Sequence, residues 1–367
     1  MIKAEMSIAA IVGGTILLLG ILWDVFETMV LSRRVSRGTR LTTLFYRFTW
    51  PLYRKAARRI PPGNRRENFL TPYGPLSLLL LIGLWAVSLV VAFGLLQWGS
   101  GSRVSTAEGG GDFFTTLYMS GTTLFTLGLG DVVPHSSAGR FLTVFESGIG
   151  LAFLALVIGY LPILSQAFSA REANIALLDA RAGSPPTAAE LLRRHGLDHA
   201  GEALVGLLRD WEKWSAHLLE SHVSFPVLAF YRSQHDNQSW VAGMTAVLDA
   251  CALVLSTADQ REKRLARQAR LTFAMARHAV ADMCRVLGRK AASPEADRLP
   301  AADLALVLAS LADAGIVVTA DGGPSQKLGE LRAMYEPYVH PLSEFLLMPL
   351  PPWAPKAPPR DNWLAHF

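Results

Sequence analysis

The chain has 367 residues, of which 51% are hydrophobic and only 18% charged, a balance that leans away from a soluble globular protein and toward a membrane protein. The formal charge of +5 is unevenly placed: residues 1–170 hold 14 Lys/Arg against 8 Asp/Glu, and residues 171–367 hold 21 against 22. The basic excess therefore sits in the apolar half, which argues against a nucleic-acid partner for the remainder.

Residues 6–23 carry no charge, and a first span is expected over about Met6–Leu31. It is too long and too apolar for a signal segment, and no small-residue cleavage pattern follows it. Asp24 and Glu27 near its end are expected to pair with basic residues, as acids inside spans usually do. Residues 32–70 then carry eleven Lys/Arg and one acid, Glu67. Such a loop is expected on the cytoplasmic side. Its middle, Leu41–Ile60, mixes Leu44, Phe45, Phe48, Trp50, Leu52 and Tyr53 with cations. This suits either a helix lying in an anionic headgroup layer or a loop that only sets topology. Pro51 is expected to break or kink any such helix.

A second span is expected over about Leu76–Trp98, with Trp98 as an interface anchor. Residues 99–111 are rich in Gly and Ser and read as an extracellular turret. Asp112 is a good helix N-cap. Phe113–Phe125 has helical length, about 20 Å at 1.5 Å per residue, too short to cross a bilayer and suited to a re-entrant pore helix. The negative end of its dipole would favour a cation.

The next six residues are Thr126-Leu127-Gly128-Leu129-Gly130-Asp131. Gly128 and Gly130 permit backbone angles that turn successive carbonyls to one side. Stacked carbonyl rings, each built from four chains, replace the water shell of a dehydrated K⁺. Thr126 adds a hydroxyl at the inner end, Asp131 holds the outer end from behind, and Thr122 and Thr123 support the segment from the helix before it. This stretch resembles the potassium-channel signature Thr-Val-Gly-Tyr-Gly-Asp and places the chain near the prokaryotic pore-loop potassium channels. It is also similar to the second pore loop of two-pore-domain potassium channels. Leu127 stands where Val is usual and Leu129 where Tyr is usual. The resemblance covers about residues 75–170. It implies K⁺ as the permeant ion on the carbonyls of Thr126, Leu127, Gly128 and Leu129, and a homotetramer, since one pore loop supplies a quarter of a filter.

A third span runs from about Arg140 to Ala170. Glu146 near its outer end is another candidate to brace the filter. Gly150 lies twenty residues after Gly130, similar to where potassium channels place a gating glycine. Gly150, with a second bend at Gly159 and Pro162, reads as a gating hinge, or as close helix packing through small residues.

The second half has helical periodicity almost throughout. Thr187 with Glu190 reads as a capping box, and Leu204, Leu207, Leu208, Trp211, Trp214 and Leu218 recur at core-facing spacing. A short strand pattern occurs at Ile316–Thr319, and Pro349–Pro359 reads as extended. The polar run Tyr231–Trp240 suits a capped loop, or else a ligand site. His278 and Asp282 are one helical turn apart, a weak metal pair. No phosphate-binding glycine loop and no nucleophile–base constellation stands out, so an enzyme and a resident cofactor are not expected.

The sequence thus predicts an all-α membrane protein with three transmembrane helices, a re-entrant pore helix and selectivity filter, and a cytoplasmic helical domain. The expected parts are the first transmembrane helix (1–31), the basic connector (32–74), the pore domain (75–170), the helical domain (171–348) and the Pro-rich tail (349–367). The expected activity is passive K⁺ conduction at an inner membrane, gated at the third span and modulated by the helical domain. The N-terminus lies outside and the C-terminal half in the cytoplasm. A poorly selective cation channel, or a tethered sensor or scaffold with a vestigial pore, are the alternatives.

Overall fold

The computed structural model describes residues 2–31, 40–101, 104–106, 109–196, 202–235, 237–257, 263–293, 296–313 and 323–355. The strand expected at Ile316–Thr319 and the end of the tail lie outside these residues, as do Arg33, Arg34 and Arg37 of the connector. The described residues are overwhelmingly helical and divide into two compact units, residues 1–56 with 75–165, and residues 57–74 with 166–367.

In the first unit, α1 (Ile2–Val25) is uncharged from Met6 to Trp23 and ends in a π-helical turn at Phe26–Val30. Next comes α2 (Leu41–Ala57), which continues across Pro51 without interruption, against the expectation of a break. Tertiary support explains this: Trp50 and Ala57 on its inner face are buried, and Leu41, Phe45 and Tyr46 pack against the apolar core. Next in the chain are α3 (Asn64–Leu70), which belongs to the second unit, and α4 (Tyr73–Gly99), which belongs to the first except for its first two residues. A core of Leu18, Ile21, Val25, Leu81, Trp85, Leu89 and Phe93 joins α1 to α4.

A polar knot closes the end of α1. Asp24 accepts from the Trp85 indole N–H at 2.8 Å and from the Thr42 hydroxyl at 2.6 Å. Arg40 lies 3.1 Å from Glu27 and 3.5 Å from Asp24, so the two acids do find a cation. A buried carboxylate is tolerable only when paired and hydrogen-bonded in this way.

Beyond α4, the segment expected as a loop contributes a small antiparallel sheet of order β2-β1-β3. It is formed by β1 (Val104–Thr106), β2 (Gly109–Gly110) and β3 (Val133–Pro134), with Ser105 opposite Val133 and Gly110. Its strands are too short to carry a readable alternation, so the sequence of residues 99–111 reads as a Gly/Ser-rich turret and not as strand. The unit also holds α5 (Phe113–Leu124), and α6 (Ser137–Ala182) begins in it.

The second unit packs around one helix. Its elements are α7 (Ala188–Gly196), α8 (Glu202–Ser224), α9 (Trp240–Thr257), α10 (Lys263–Val286), α11 (Ala301–Asp313), α12 (Gly323–Ala333) and α13 (Glu336–Leu346). A 3₁₀ turn, Pro226–Phe230, precedes α9. The expected core stripe of α8, from Leu204 to Leu218, is buried throughout. Among the described residues, four helical stretches are long and apolar enough to cross a membrane: Ser7–Val30, Asn64–Gly99, Ser137–Ala182 and Trp240–Thr257. The last, α9, is 94% buried inside its own unit, the mark of a core helix that is apolar on every side. Asp249 in its middle is wholly buried, held at 2.7 Å by Arg298 and by the hydroxyl of Tyr335. Arg298 also donates to the Pro351 carbonyl at 2.9 Å, and the Ala189 amide donates to the Trp353 carbonyl at 3.0 Å. The start of the Pro-rich tail is therefore packed against the domain.

This unit contains both the segment that enters α4 and the last turns of α6. Buried Arg171 on α6 donates to the carbonyls of Leu228 (2.8 Å) and Tyr231 (2.9 Å). The Tyr231 ring packs on Phe168, 5.4 Å between centroids, and closes over Gly74, where a Cβ would stand 2.6 Å from it. Phe230 stacks edge-on against Tyr73, and Arg232 lies 3.5 Å from Glu67. The polar run after Tyr231 ends as a capped helix start, with Ser239 accepting from the Ala242 amide at 3.0 Å.

Candidate functional site

The site grows out of α5. Asp112 caps it, its carboxylate accepting from the amide (2.8 Å) and hydroxyl (2.9 Å) of Thr115. The helix stops after Leu124 because Thr126 takes a left-handed conformation, φ +57°. That is an uncommon state for a residue with a branched Cβ. Gly128 (φ +58°) and Gly130 (φ +76°) repeat it, while Leu127 and Leu129 between them do not. In an ordinary strand, successive carbonyls alternate sides. Reversing the sign of φ at every second residue instead turns successive carbonyls to one side and the amides to the other.

The amides are accounted for accordingly. Thr126 donates to the Thr123 carbonyl at 3.0 Å, and Leu127 and Gly128 donate to the Thr122 carbonyl at 2.8 and 3.4 Å. Thr122 and Thr123 thus hold the segment through their backbone, and the Thr122 hydroxyl turns back to the Met119 carbonyl at 3.0 Å. Residues 125–131 are exposed in the single chain. Phe114 and Tyr118 on α5 are exposed as well.

Asp131 accepts from the Tyr118 hydroxyl at 2.9 Å. Sequence reasoning placed Asp131 but missed Tyr118. Tyr118 stands one helical turn before Thr122, on the same face, but its partner is set by how the chain returns after α5.

Glu146 and Ser120 are fully buried and hydrogen-bonded to each other, and the Ser120 hydroxyl also lies 2.9 Å from the Val90 carbonyl. One turn above, Gln97 donates to the Gly139 carbonyl and the Thr143 hydroxyl, each at 3.1 Å. Glu146 therefore touches α5, four to six positions before the residues 124–126 turn, and does not touch Asp131.

Gly150 faces the end of α5 directly. A Cβ there would collide with the Leu124 carbonyl, whereas one at Gly159 would meet open space. Helix α6 runs unbroken through Gly150, Gly159 and Pro162. Of the three residues assigned to a hinge, only Gly150 lies against the site.

Among the described residues, no group of three metal-ligating side chains occurs. His278 lies 3.5 Å from Asp282, but Asp282 is also paired at 2.6 Å with Arg285.

Comparison with known proteins bears on this region. Over 200 residues, 53% of the chain, it is 28% identical to an uncharacterized membrane protein, YdjJ, of Bacillus subtilis (strain 168). The match spans 56% of that relative's length. No solved structure matches. Residues 78–165 match a family model described as ion channel. These bounds take in most of α4, all of α5, the residues 126–131 and the part of α6 that faces them. Within these bounds the chain is similar to ion channels.

Proposed function

We propose that the chain is a potassium channel that assembles as a homotetramer and conducts K⁺ passively on the backbone carbonyls of Thr126, Leu127, Gly128 and Leu129. The observation that carries this reading is the alternation of positive φ at Thr126, Gly128 and Gly130. With the amides tied back to Thr122 and Thr123, the carbonyls of one chain form one wall of a cation path. The exposure of residues 125–131 leaves that wall open to three further copies. In this reading α1, α4 and α6 cross the inner membrane, with the N-terminus outside and the helical unit in the cytoplasm, and no resident cofactor is needed.

Gating is assigned to α6 and modulation to the helical unit. Arg171, Tyr231 and Phe230 support this, because they tie the residues entering α4 and those ending α6 to one folded body. Opening at α6 that changes the spacing of these two segments must then be felt by that body.

A second reading, a poorly selective cation channel, is favoured by Leu129, which lacks the hydroxyl usual at that position. Flux into liposomes holding the purified full-length chain separates the two. K⁺ flux that exceeds Na⁺ flux and is blocked by Ba²⁺ is the expected result. Equal K⁺ and Na⁺ flux selects the second reading, and loss of all flux on removing the helical unit's grip, by Tyr231→Ala, is expected to precede any loss of assembly.

A further inference from the structure

We propose that α2 lies in an anionic membrane surface, with Leu44, Phe48 and Leu52 in the acyl boundary and Arg47 and Lys55 on lipid phosphates. The three apolar residues recur every four positions and so share one helical face. That face is open: Leu44 is 38%, Phe48 75% and Leu52 74% exposed. The opposite face is already used, with Trp50 and Ala57 buried and Phe45 packed on the core of α1 and α4. The helix therefore has two apolar faces, and the fold employs one. A surface helix facing water carries polar residues outward, and α2 does the reverse.

Charge selects the occupant. Arg47 and Lys55 are exposed on the same outward side, and residues 41–57 contain no acid at all. Apolar side chains flanked by long cations are what an interfacial helix offers to lipid, since the cations reach headgroup oxygens while their stems stay among the acyl chains. Position agrees with charge. Asp24, at the end of the membrane-length helix α1, holds the first turn of α2 through the amide (3.2 Å) and hydroxyl (2.6 Å) of Thr42. The start of α2 is thus fixed beside the end of a membrane span. The inference rests on the reading of α1 as that span, and not on conduction.

The test uses the full-length chain with single cysteines introduced at Leu44, Phe48 or Leu52. The native Cys251 and Cys284 are buried and do not compete for label. An environment-sensitive dye on each is examined in vesicles of phosphatidylcholine with or without phosphatidylglycerol. Quenching by brominated acyl chains and protection from aqueous iodide at Phe48 and Leu52 is the expected result. The double variant R47Q/K55Q is expected to lower the preference for spin-labelled phosphatidylglycerol by about fivefold per cation. Iodide quenching without acyl-chain quenching would overturn the proposal. So would protection from both quenchers with crosslinking between copies, which would make the stripe a protein contact. A chain that conducts no K⁺ but gives the expected quenching would sink the channel reading alone.

Discussion

Tyr118 and Asp131 are joined by a 2.9 Å hydrogen bond that ties the middle of α5 to the last residue of the 126–131 segment. Together with the Thr122 and Thr123 carbonyls it fastens that segment at both ends. Tyr118 is 45% exposed in the single chain, so the bond acts by orienting Asp131 more than by adding stability. Tyr118→Phe is expected to preserve assembly and conduction but to lower the K⁺ over Na⁺ permeability ratio several-fold, read from reversal potentials in mixed salt. An unchanged ratio would remove Tyr118 from the support of the filter.

Gly128 and Gly130 hold the left-handed angles on which the carbonyl alignment depends. A Cβ in that region costs about 1–2 kcal/mol, and conversion to right-handed φ turns a carbonyl away. Gly128→Ala and Gly130→Ala are therefore expected to abolish K⁺ flux while leaving the proposed tetramer intact by size-exclusion chromatography. Normal selective flux through either variant would refute the filter assignment.

Gly150 and Gly159 separate packing from hinging. Gly150→Ala forces the Leu124 carbonyl to move, since the two occupy the same space. Its expected effect is loss of conduction with a lower melting temperature. Gly159→Ala meets nothing and is expected to keep both the fold and the conductance, with any change confined to open probability in single-channel records. The opposite ranking would restore Gly159 as the more constrained of the two.

Asp249 is buried between Arg298 and Tyr335. Removing one partner of such a pair leaves an uncompensated charge and costs about 3–5 kcal/mol. Arg298→Met is expected to lower the melting temperature of the purified chain by about 10 °C, at a few degrees per kcal/mol. It also frees the tail, because Arg298 donates to Pro351 as well, so limited proteolysis after residue 347 should accelerate in parallel.

His222 gives the helical unit an acid limit. Burial, and then the neighbouring Arg171 charge, push it from 6.5 down to about 3. The unfolded chain takes up a proton as pH falls through about 6.5, and the folded chain refuses it until about 3, so stability is full above 6.5 and declines below it. At pH 5 the loss is about 2 kcal/mol from this residue. Chemical unfolding at pH 7 and pH 5 should record that difference, and His222→Gln should remove it.

The long apolar helices were legible because an uncharged run of helical length has few alternatives in water, and the unusual backbone of residues 126–130 because glycine at alternate positions permits left-handed angles. Capping by Asp112 followed from residue type alone. The Tyr118–Asp131 bond was not legible, since it depends on how the chain returns after α5. Nor was the contact of Gly150 with Leu124, which is a matter of interhelical distance and not of pattern. Pro51 misled for a related reason: its local cost is fixed by the sequence, while the packing of Trp50 and Phe45 that offsets it is tertiary. The sheet on β1–β3 escaped because two- and three-residue strands hold no periodicity.

Asp249 has a consequence for how the chain is made. During synthesis α9 emerges as an 18-residue apolar stretch that insertion machinery would test as a fourth membrane segment. A carboxylate at the centre of such a stretch opposes insertion by about 3 kcal/mol. In the proposed topology, the residue that Arg298 later neutralises in the folded unit thus first rejects the bilayer, and keeps the helical unit on one side of the membrane before any of its tertiary contacts exist.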